Sequence, residues 1–199
     1  MYRIITLLLI GAMLTMACGS SREVSRIDPN EVIDLSGNWN DTDARLVAEE
    51  MINDCLSRVW ITDFVAANGD KPFVTVGTIR NKSSEHIDTD TFSNDFEREL
   101  LNSGKVKFVG SRDQRGEIRD ERADQLEYAS DETVKKMANE IGANFILLGS
   151  ISTITDQLEG RKVVFYQTDL ELIDIESNQK VWLGTKKIKK DITQRGSKW

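Results

Sequence analysis

The fold of this chain is decided by the stretch VVFYQTDLELIDI, residues 163–175. One set of its side chains alternates with another: Val164, Tyr166, Thr168, Leu170 and Leu172 alternate with Phe165, Gln167, Asp169 and Glu171. This period of two predicts a strand with one buried and one wet face. A turn at residues 176–179 and the run KVWLGTKKIKK, residues 180–190, predict an antiparallel partner strand. Upstream, the apolar run ANFILLGSI, residues 143–151, predicts a third strand, covered on both faces.

The residues before these strands predict helices and two further strands. The first is a helix that is capped by Asp41 or Thr42 and ends near Trp60, followed by a turn at 66–71 and a strand at 73–79. The next is a helix at 89–104 that stops at a left-handed Gly104, followed by a strand at 105–109. The last is a helix at 131–142 capped by Ser130. A βαβ unit followed by antiparallel strands predicts an α+β fold. We expect a mixed, mainly antiparallel sheet of four to five strands with helices packed on one side.

The N-terminus predicts an export signal and a lipid anchor. Arg3 precedes an apolar run at residues 4–17 that is too short to span a bilayer, because a spanning helix needs roughly 20 residues. Ala17 is followed at once by Cys18, as in the lipobox of bacterial lipoproteins. The alternative is a plain secreted protein with an incidental cysteine. The predicted organisation is a signal peptide at 1–17, a flexible tether at 18–36, a globular domain at 37–190 and a tail at 191–199.

The charge of the chain argues against nucleic acid as a partner. The formal net charge is −7, and loss of the signal with Arg3 leaves 25 basic against 33 acidic residues, a charge of −8. Nucleic-acid binding calls for a basic face. If Cys18 carries lipid, Cys55 has no partner for a disulfide within the chain. Cys55 lies on an apolar helical stripe and is expected to be a buried core residue.

Candidate catalytic residues are few. The single histidine, His86, stands in HIDTD with Asp88 and Asp90. This motif could be a metal site or an acid–base pair in a wall-degrading enzyme, but metal sites usually need at least three ligands and the aspartates suit a helix cap. Neither a GxSxG motif nor a phosphate-binding loop occurs. We therefore expect a protein that is not an enzyme and has no cofactor, catalytic residue or metal ligand.

Two charged segments are candidates for contact with a partner. Residues 110–129 are dense in both signs of charge and predict an exposed, mobile excursion with a short helical turn near its end. Its candidate contacts are Arg112, Arg115, Arg119 and Arg122. Lys186 and Lys187 belong to a basic cluster with Lys189 and Lys190. That cluster either protects a strand edge or docks an acidic partner or an anionic wall polymer.

The order of several stretches resembles the LpoB-type lipoproteins, which activate penicillin-binding proteins. The stretches are FVTVGTIRNKSS (73–84), FSNDFERELLNSGKVKFVGSRD (92–113), VKKMANEIGANFILLGSI (134–151) and YQTDLELIDIESNQKVWLGTKKIKK (166–190). Their specific parts are NSGK at 102–105, GANFILLGSI at 142–151 and Val181-Trp182. The lipobox fits this family too.

The resemblance implies an outer-membrane lipoprotein that faces the periplasm and binds a bifunctional penicillin-binding protein, raising peptidoglycan synthesis. It also implies a fold similar to the N-terminal domain of the Tol-system propeller protein. The tether departs from the family pattern, because well-known members have a long Pro-rich linker and this chain has about twenty residues there. An alternative is a structural subunit of a curli-type secretion assembly, since those lipoproteins share the small fold.

Overall fold

The computed structural model describes residues 23–126 and 142–193. Residues 23–31 belong to a separate unit and contain no helix or strand, and the unit that begins at Val32 holds all the described elements. The predicted helix at 131–142 lies outside the described residues, apart from Gly142. In chain order the elements are α1 (Asp41–Ser57), α2 (Trp60–Asn68), β1 (Phe73–Asn81), α3 (Thr89–Asn102), β2 (Lys107–Phe108), α4 (Arg112–Leu126), β3 (Phe145–Leu158), β4 (Arg161–Asp174) and β5 (Lys180–Thr193).

The strands form one mixed five-stranded sheet in the order β2-β1-β3-β4-β5. The β3-β4 and β4-β5 pairs are antiparallel, whereas β1 pairs in parallel with both β2 and β3. A parallel neighbour needs a crossover connection, which α3 supplies between β1 and β2. The predicted α+β fold with a mixed, mainly antiparallel sheet is confirmed.

The alternation predicted for residues 163–175 divides the sheet into two faces. The inner face packs against the helices and carries the fully buried set Val164, Tyr166, Thr168, Leu170 and Leu172. The outer face carries the half-buried set Phe165, Gln167, Asp169 and Glu171. On β3, Phe145 and Leu147 are buried on the inner face, but Ile146 and Leu148 are only half-buried on the outer face. Only the inner face of that strand is therefore fully covered, contrary to the prediction.

The β3-β4 hairpin is longer than the apolar run at 143–151 predicts. The two strands stay in register from Phe145 paired with Asp174 to Leu158 paired with Arg161. Only Glu159 and Gly160 connect them, with φ of 38° and 79°. Two successive residues with positive φ are typical of the tight turns that join twisted strands, and glycine adopts this conformation without steric cost. The polar residues 152–158 thus continue the strand.

The N-terminal helical region contains two helices rather than one. Asn40 caps α1, because its side chain accepts a hydrogen bond from the Asp43 backbone N–H while the Asp43 carboxylate accepts one from the Asn40 N–H. The prediction that Asp41 or Thr42 is the cap is wrong. The chain becomes extended at Arg58 and starts a second helix at Trp60, so the predicted turn at 66–71 begins inside α2.

The predicted helix at 89–104 is confirmed as α3, with Gly104 at a positive φ of 64° just beyond it. Its buried residues Phe92, Phe96 and Leu100 lie on one face. The rings of Phe92 and Phe96 meet edge to face with centroids 4.7 Å apart. Burying a side chain of this size contributes about 1.5–3 kcal/mol, so this stripe fixes α3 on the inner face.

Within the predicted excursion at 110–129, residues 112–126 form a continuous helix, longer than the short helical turn that was predicted. Ser111 and Gln114 form a reciprocal cap, since the Ser111 N–H donates to Gln114 Oε1 at 2.9 Å and the Gln114 N–H donates to Ser111 Oγ at 3.4 Å. This capping box satisfies backbone donors that are otherwise unpaired at a helix start. Helix α4 follows directly.

Residues 32–40, which we call the strap, lie against the inner face of β4 and β5. Lys190 Nζ donates to the Asn38 carbonyl at 3.0 Å and forms ion pairs with Asp34 at 3.0 Å and Asp43 at 2.6 Å. Tyr166 Oη donates to Glu85 Oε1 at 2.7 Å, and the other oxygen of Glu85 accepts from the Trp39 N–H at 2.9 Å. Burial, reinforced by the hydrogen bond to Glu85, raises the pKa of Tyr166. The chain is thus fixed to the sheet before α1 begins.

Candidate functional site

Helix α4 carries opposite charges on opposite faces. Arg112, Arg115, Arg119 and Arg122 follow one another at spacings of 3, 4 and 3 residues. Spacings of 4, 3 and 4 residues separate four acidic residues of the same helix, Asp113, Glu117, Asp120 and Asp124. Because successive helical residues are about 100° apart, each set spans less than about 90° around the axis, and the two sets point roughly 150° apart. We call them the arginine face and the acidic face of α4.

The arginine face is suited to contact with an acidic surface. Arg112 and Arg119 are exposed, and Arg115 and Arg122 are half-buried. Within residues 23–126 and 142–193, the Nε atom of Arg115 is buried without a hydrogen-bond partner. A guanidinium group presents several donors in a fixed plane that matches a carboxylate, so a row of them can recognise a row of acids. The structure therefore brings all four predicted arginine contacts onto one face.

The lysines of β5 do not form one cluster. Successive side chains of a strand point to opposite faces, so Lys186 and Lys190 lie on the inner face and Lys187 and Lys189 on the outer face. Lys186 forms an ion pair with Glu50 of α1. Of the two predicted lysine contacts, Lys187 is exposed and Lys186 is engaged within the chain.

The outer face holds a groove that the sequence analysis missed. Arg80 and Lys82 line one side of it, at the end of β1. The register between β1 and β3 shifts between Val76 and Ile79, which marks a β-bulge. The extra residue turns Ile79 into the core and Arg80 outward. A glycine inside a strand pattern, here Gly77, was the available sequence signal for this bulge.

Asp88 of the HIDTD motif and the thiol of Cys55 have structural roles. Asp88 caps α3, since its Oδ1 accepts hydrogen bonds from the N–H groups of Asp90 and Thr91, which lower the Asp88 pKa. His86 is exposed beside it. Cys55 is buried in the core, and desolvation raises the pKa of its thiol to about 12. A thiol with that pKa stays protonated near neutral pH and is a poor nucleophile.

The described residues offer neither a candidate metal site nor a candidate membrane-spanning helix. In residues 23–126 and 142–193, no group of three or more His, Cys, Asp or Glu side chains is placed to hold a metal ion. No helix in the same part of the chain is both long and apolar enough to cross a membrane. The predicted lipidation site, Cys18, lies outside the described residues.

Comparison with known protein families assigns the chain. A family model described as peptidoglycan-synthase activator LpoB matches residues 43–188, from the first turn of α1 into β5. The chain belongs to the LpoB family. The resemblance drawn from the residues is thereby confirmed.

Solved structures similar to this chain include an LpoB domain. The C-terminal domain of LpoB from Escherichia coli is 16% identical, covers 64% of this chain and 91% of its own, and has a TM-score of 0.37. Lipoprotein GNA1162 from Neisseria meningitidis is 13% identical, with coverage of 60% and 83% and a TM-score of 0.38. The PelC dodecamer from Paraburkholderia phytofirmans is 16% identical, with coverage of 63% and 76% and a TM-score of 0.33. Assignment to the LpoB family rests on the family model, and comparison with curated proteins gives no match.

Proposed function

We propose that this member of the LpoB family is a lipid-anchored regulator that binds and activates a bifunctional penicillin-binding protein and so promotes cell-wall synthesis. The observation that carries the proposal is the family match over residues 43–188. The proposed anchor is a lipid on Cys18, in an outer membrane and facing the periplasm. The regulator itself has no catalytic role, and its effect arises from contact with the synthase.

Activation by contact requires a difference in affinity. A bound regulator shifts the synthase toward its active form only if it binds that form more tightly than the resting form. The arginine face of α4 supplies a surface for such a contact, because its guanidinium groups can pair with carboxylates that the active synthase presents. Charge pairs across an interface set orientation and association rate, and loss of a buried pair weakens binding.

Charge reversal on α4 tests this contact. The double substitution Arg112→Glu with Arg119→Glu is expected to raise the concentration of regulator needed for half-maximal stimulation at least tenfold, because two attractive contacts become repulsive. The measurement is the rate of glycan polymerisation by a purified bifunctional penicillin-binding protein, with the full chain added in detergent.

The matched control reverses two charges on the acidic face of the same helix, Glu117→Lys with Asp120→Lys. It should leave the half-maximal concentration within about twofold, with an unchanged helical circular-dichroism signal in both variants. If both variants raised the half-maximal concentration equally, the arginine face would not be the surface that contacts the synthase. Absence of stimulation by the unaltered chain would contradict the proposed function itself.

A further inference from the structure

The outer face of the sheet carries a groove of about 400 Å³ that crosses four strands. Its charged and polar lining comes from Thr78 and Arg80 of β1, Lys82 just after β1, Ser150 of β3, and Asp169 and Glu171 of β4. Leu183 of β5 adds an apolar wall. A volume of this size matches the lower range of small-ligand sites.

One wall of the groove is an unneutralised pair of cations. Arg80 and Lys82 are exposed. In the part of the chain that the structure describes, neither side chain has an ion-pair or hydrogen-bond partner. Lys82 follows the last residue of β1, and its N–H still donates to the Ile151 carbonyl of β3 at 2.8 Å. Alternate residues of an extended chain lie about 7 Å apart, so the like charges of Arg80 and Lys82 repel. Two free cations side by side on a chain of net charge −7 favour an anionic ligand group.

The opposite wall is a pair of carboxylates held in place. Asp169 accepts hydrogen bonds from Gln167 Nε2 at 2.8 and 3.0 Å and from Thr185 Oγ1 at 2.7 Å. Glu171 forms an ion pair with Lys180. These contacts fix the carboxylates, and Asp169 retains acceptor capacity because two carboxylate oxygens offer about four lone-pair sites.

The strand register sets the distance between the two walls. Arg80 pairs with Ser150, and Ser150 pairs with Asp169, so the three residues form one row across the sheet. Neighbouring strands are about 4.8 Å apart, which places the backbones of Arg80 and Asp169 about 10 Å from each other. Ser150 lies between Arg80 and Asp169 in this row, and its hydroxyl group can donate or accept a hydrogen bond. The row is suited to a ligand with a carboxylate at one end and an ammonium group at the other.

We infer that this groove binds a short peptide with a free carboxylate and a free ammonium group, the chemistry of the peptide stem of peptidoglycan. Arg80 and Lys82 bind the carboxylate of the peptide, and Asp169 and Glu171 accept hydrogen bonds from its ammonium group. This choice of peptide rests on the proposed function, since a synthase regulator works where such stems are present. Binding would make the regulator responsive to the wall material around it.

Calorimetric titration of the full chain in detergent with a purified disaccharide–tetrapeptide tests the inference. We expect saturable binding of one ligand per chain, weakened at least tenfold by Arg80→Gln with Lys82→Gln. Lys71→Gln, which removes an exposed lysine elsewhere, should leave the affinity unchanged. Acetylating the ammonium group of the ligand should weaken binding to the unaltered chain severalfold, but have little further effect on an Asp169→Asn variant.

The inference would be overturned by the absence of any heat of binding or by equal affinity for the disaccharide without its peptide. It would also be overturned if the Arg80→Gln/Lys82→Gln variant bound the ligand as tightly as the unaltered chain. Inorganic phosphate that binds as tightly as the peptide ligand would also overturn it, because the groove would then be a general anion site. The titration contains no synthase. A chain that binds no stem yet stimulates the synthase refutes only the groove, and one that binds without stimulating refutes only the proposed function.

Discussion

Lys190→Met is expected to lower the free energy of unfolding by about 3 kcal/mol, because it leaves the Asp43 carboxylate buried without its cation. The side chains of Lys190 and Asp43 are only 9% and 8% exposed. The same ammonium group also holds Asp34 and the Asn38 carbonyl of the strap. Methionine has a similar shape, so packing is largely kept while the charge is lost. Urea unfolding at neutral pH measures the change.

The control for this prediction is Lys187→Met on the same strand. Lys187 points to the outer face and is exposed, so its loss should change the free energy of unfolding by less than about 0.5 kcal/mol. Adding Asp43→Asn to Lys190→Met should restore part of the lost stability, because the unpaired buried charge of Asp43 is removed. If the two lysine variants unfold at the same urea concentration, the strap is not held by this buried ion pair.

Gly149→Ala is expected to destabilise the domain by about 2 kcal/mol or more, because the new methyl group has no room. In the sheet register Gly149 pairs with Leu170, and Leu170 pairs with Gly184 of β5. A Cβ atom at Gly149 would lie 2.3 Å from Leu170 Cδ2 and 2.6 Å from the Asp169 carbonyl oxygen. The second of these neighbours is backbone and cannot rotate away. Urea denaturation again gives the change in free energy.

Gly116→Ala is the opposite case and serves as the control. Gly116 is inside α4, and a Cβ atom there would meet nothing within 4 Å. Alanine favours the helix over glycine by about 1 kcal/mol, so this variant should be slightly more stable than the unaltered chain. A Gly149→Ala protein as stable as the Gly116→Ala protein would show that the sheet does not require this close approach.

The sheet was predictable because its signal is local and repeated. Alternation over residues 163–175 is dictated by the pleat, so it correctly predicted that buried side chains alternate with less buried ones along β4. The limits of the β3-β4 hairpin were missed because residues 152–158 are mostly polar and lie beyond the apolar run. Helix α4 was missed for a different reason. Its charge density suggested a solvated loop, whereas the SRDQ capping box at 111–114 was the informative feature.

The candidate surfaces depend on geometry that sequence spacing alone did not reveal. The four arginines of α4 share a face only because the segment is helical. The lysines of β5 separate only because the segment is a strand. Arg80 reaches the outer groove through a bulge whose position follows from the pairing of two strands, so a simple alternation along β1 would have placed it inward. Ion pairs such as Lys186 with Glu50 join residues far apart in the chain.

Crosslinking in cells determines whether the chain acts by contact with a wall synthase. A photo-activated amino acid at Arg119, on the arginine face of α4, is compared with one at Asp120 on the acidic face, and the attached proteins are identified by mass spectrometry. We expect a covalent adduct with a bifunctional penicillin-binding protein from the position of Arg119 and much less from that of Asp120. Adducts at both positions with copies of the same chain or with secretion components, and none with a wall synthase, would contradict this expectation.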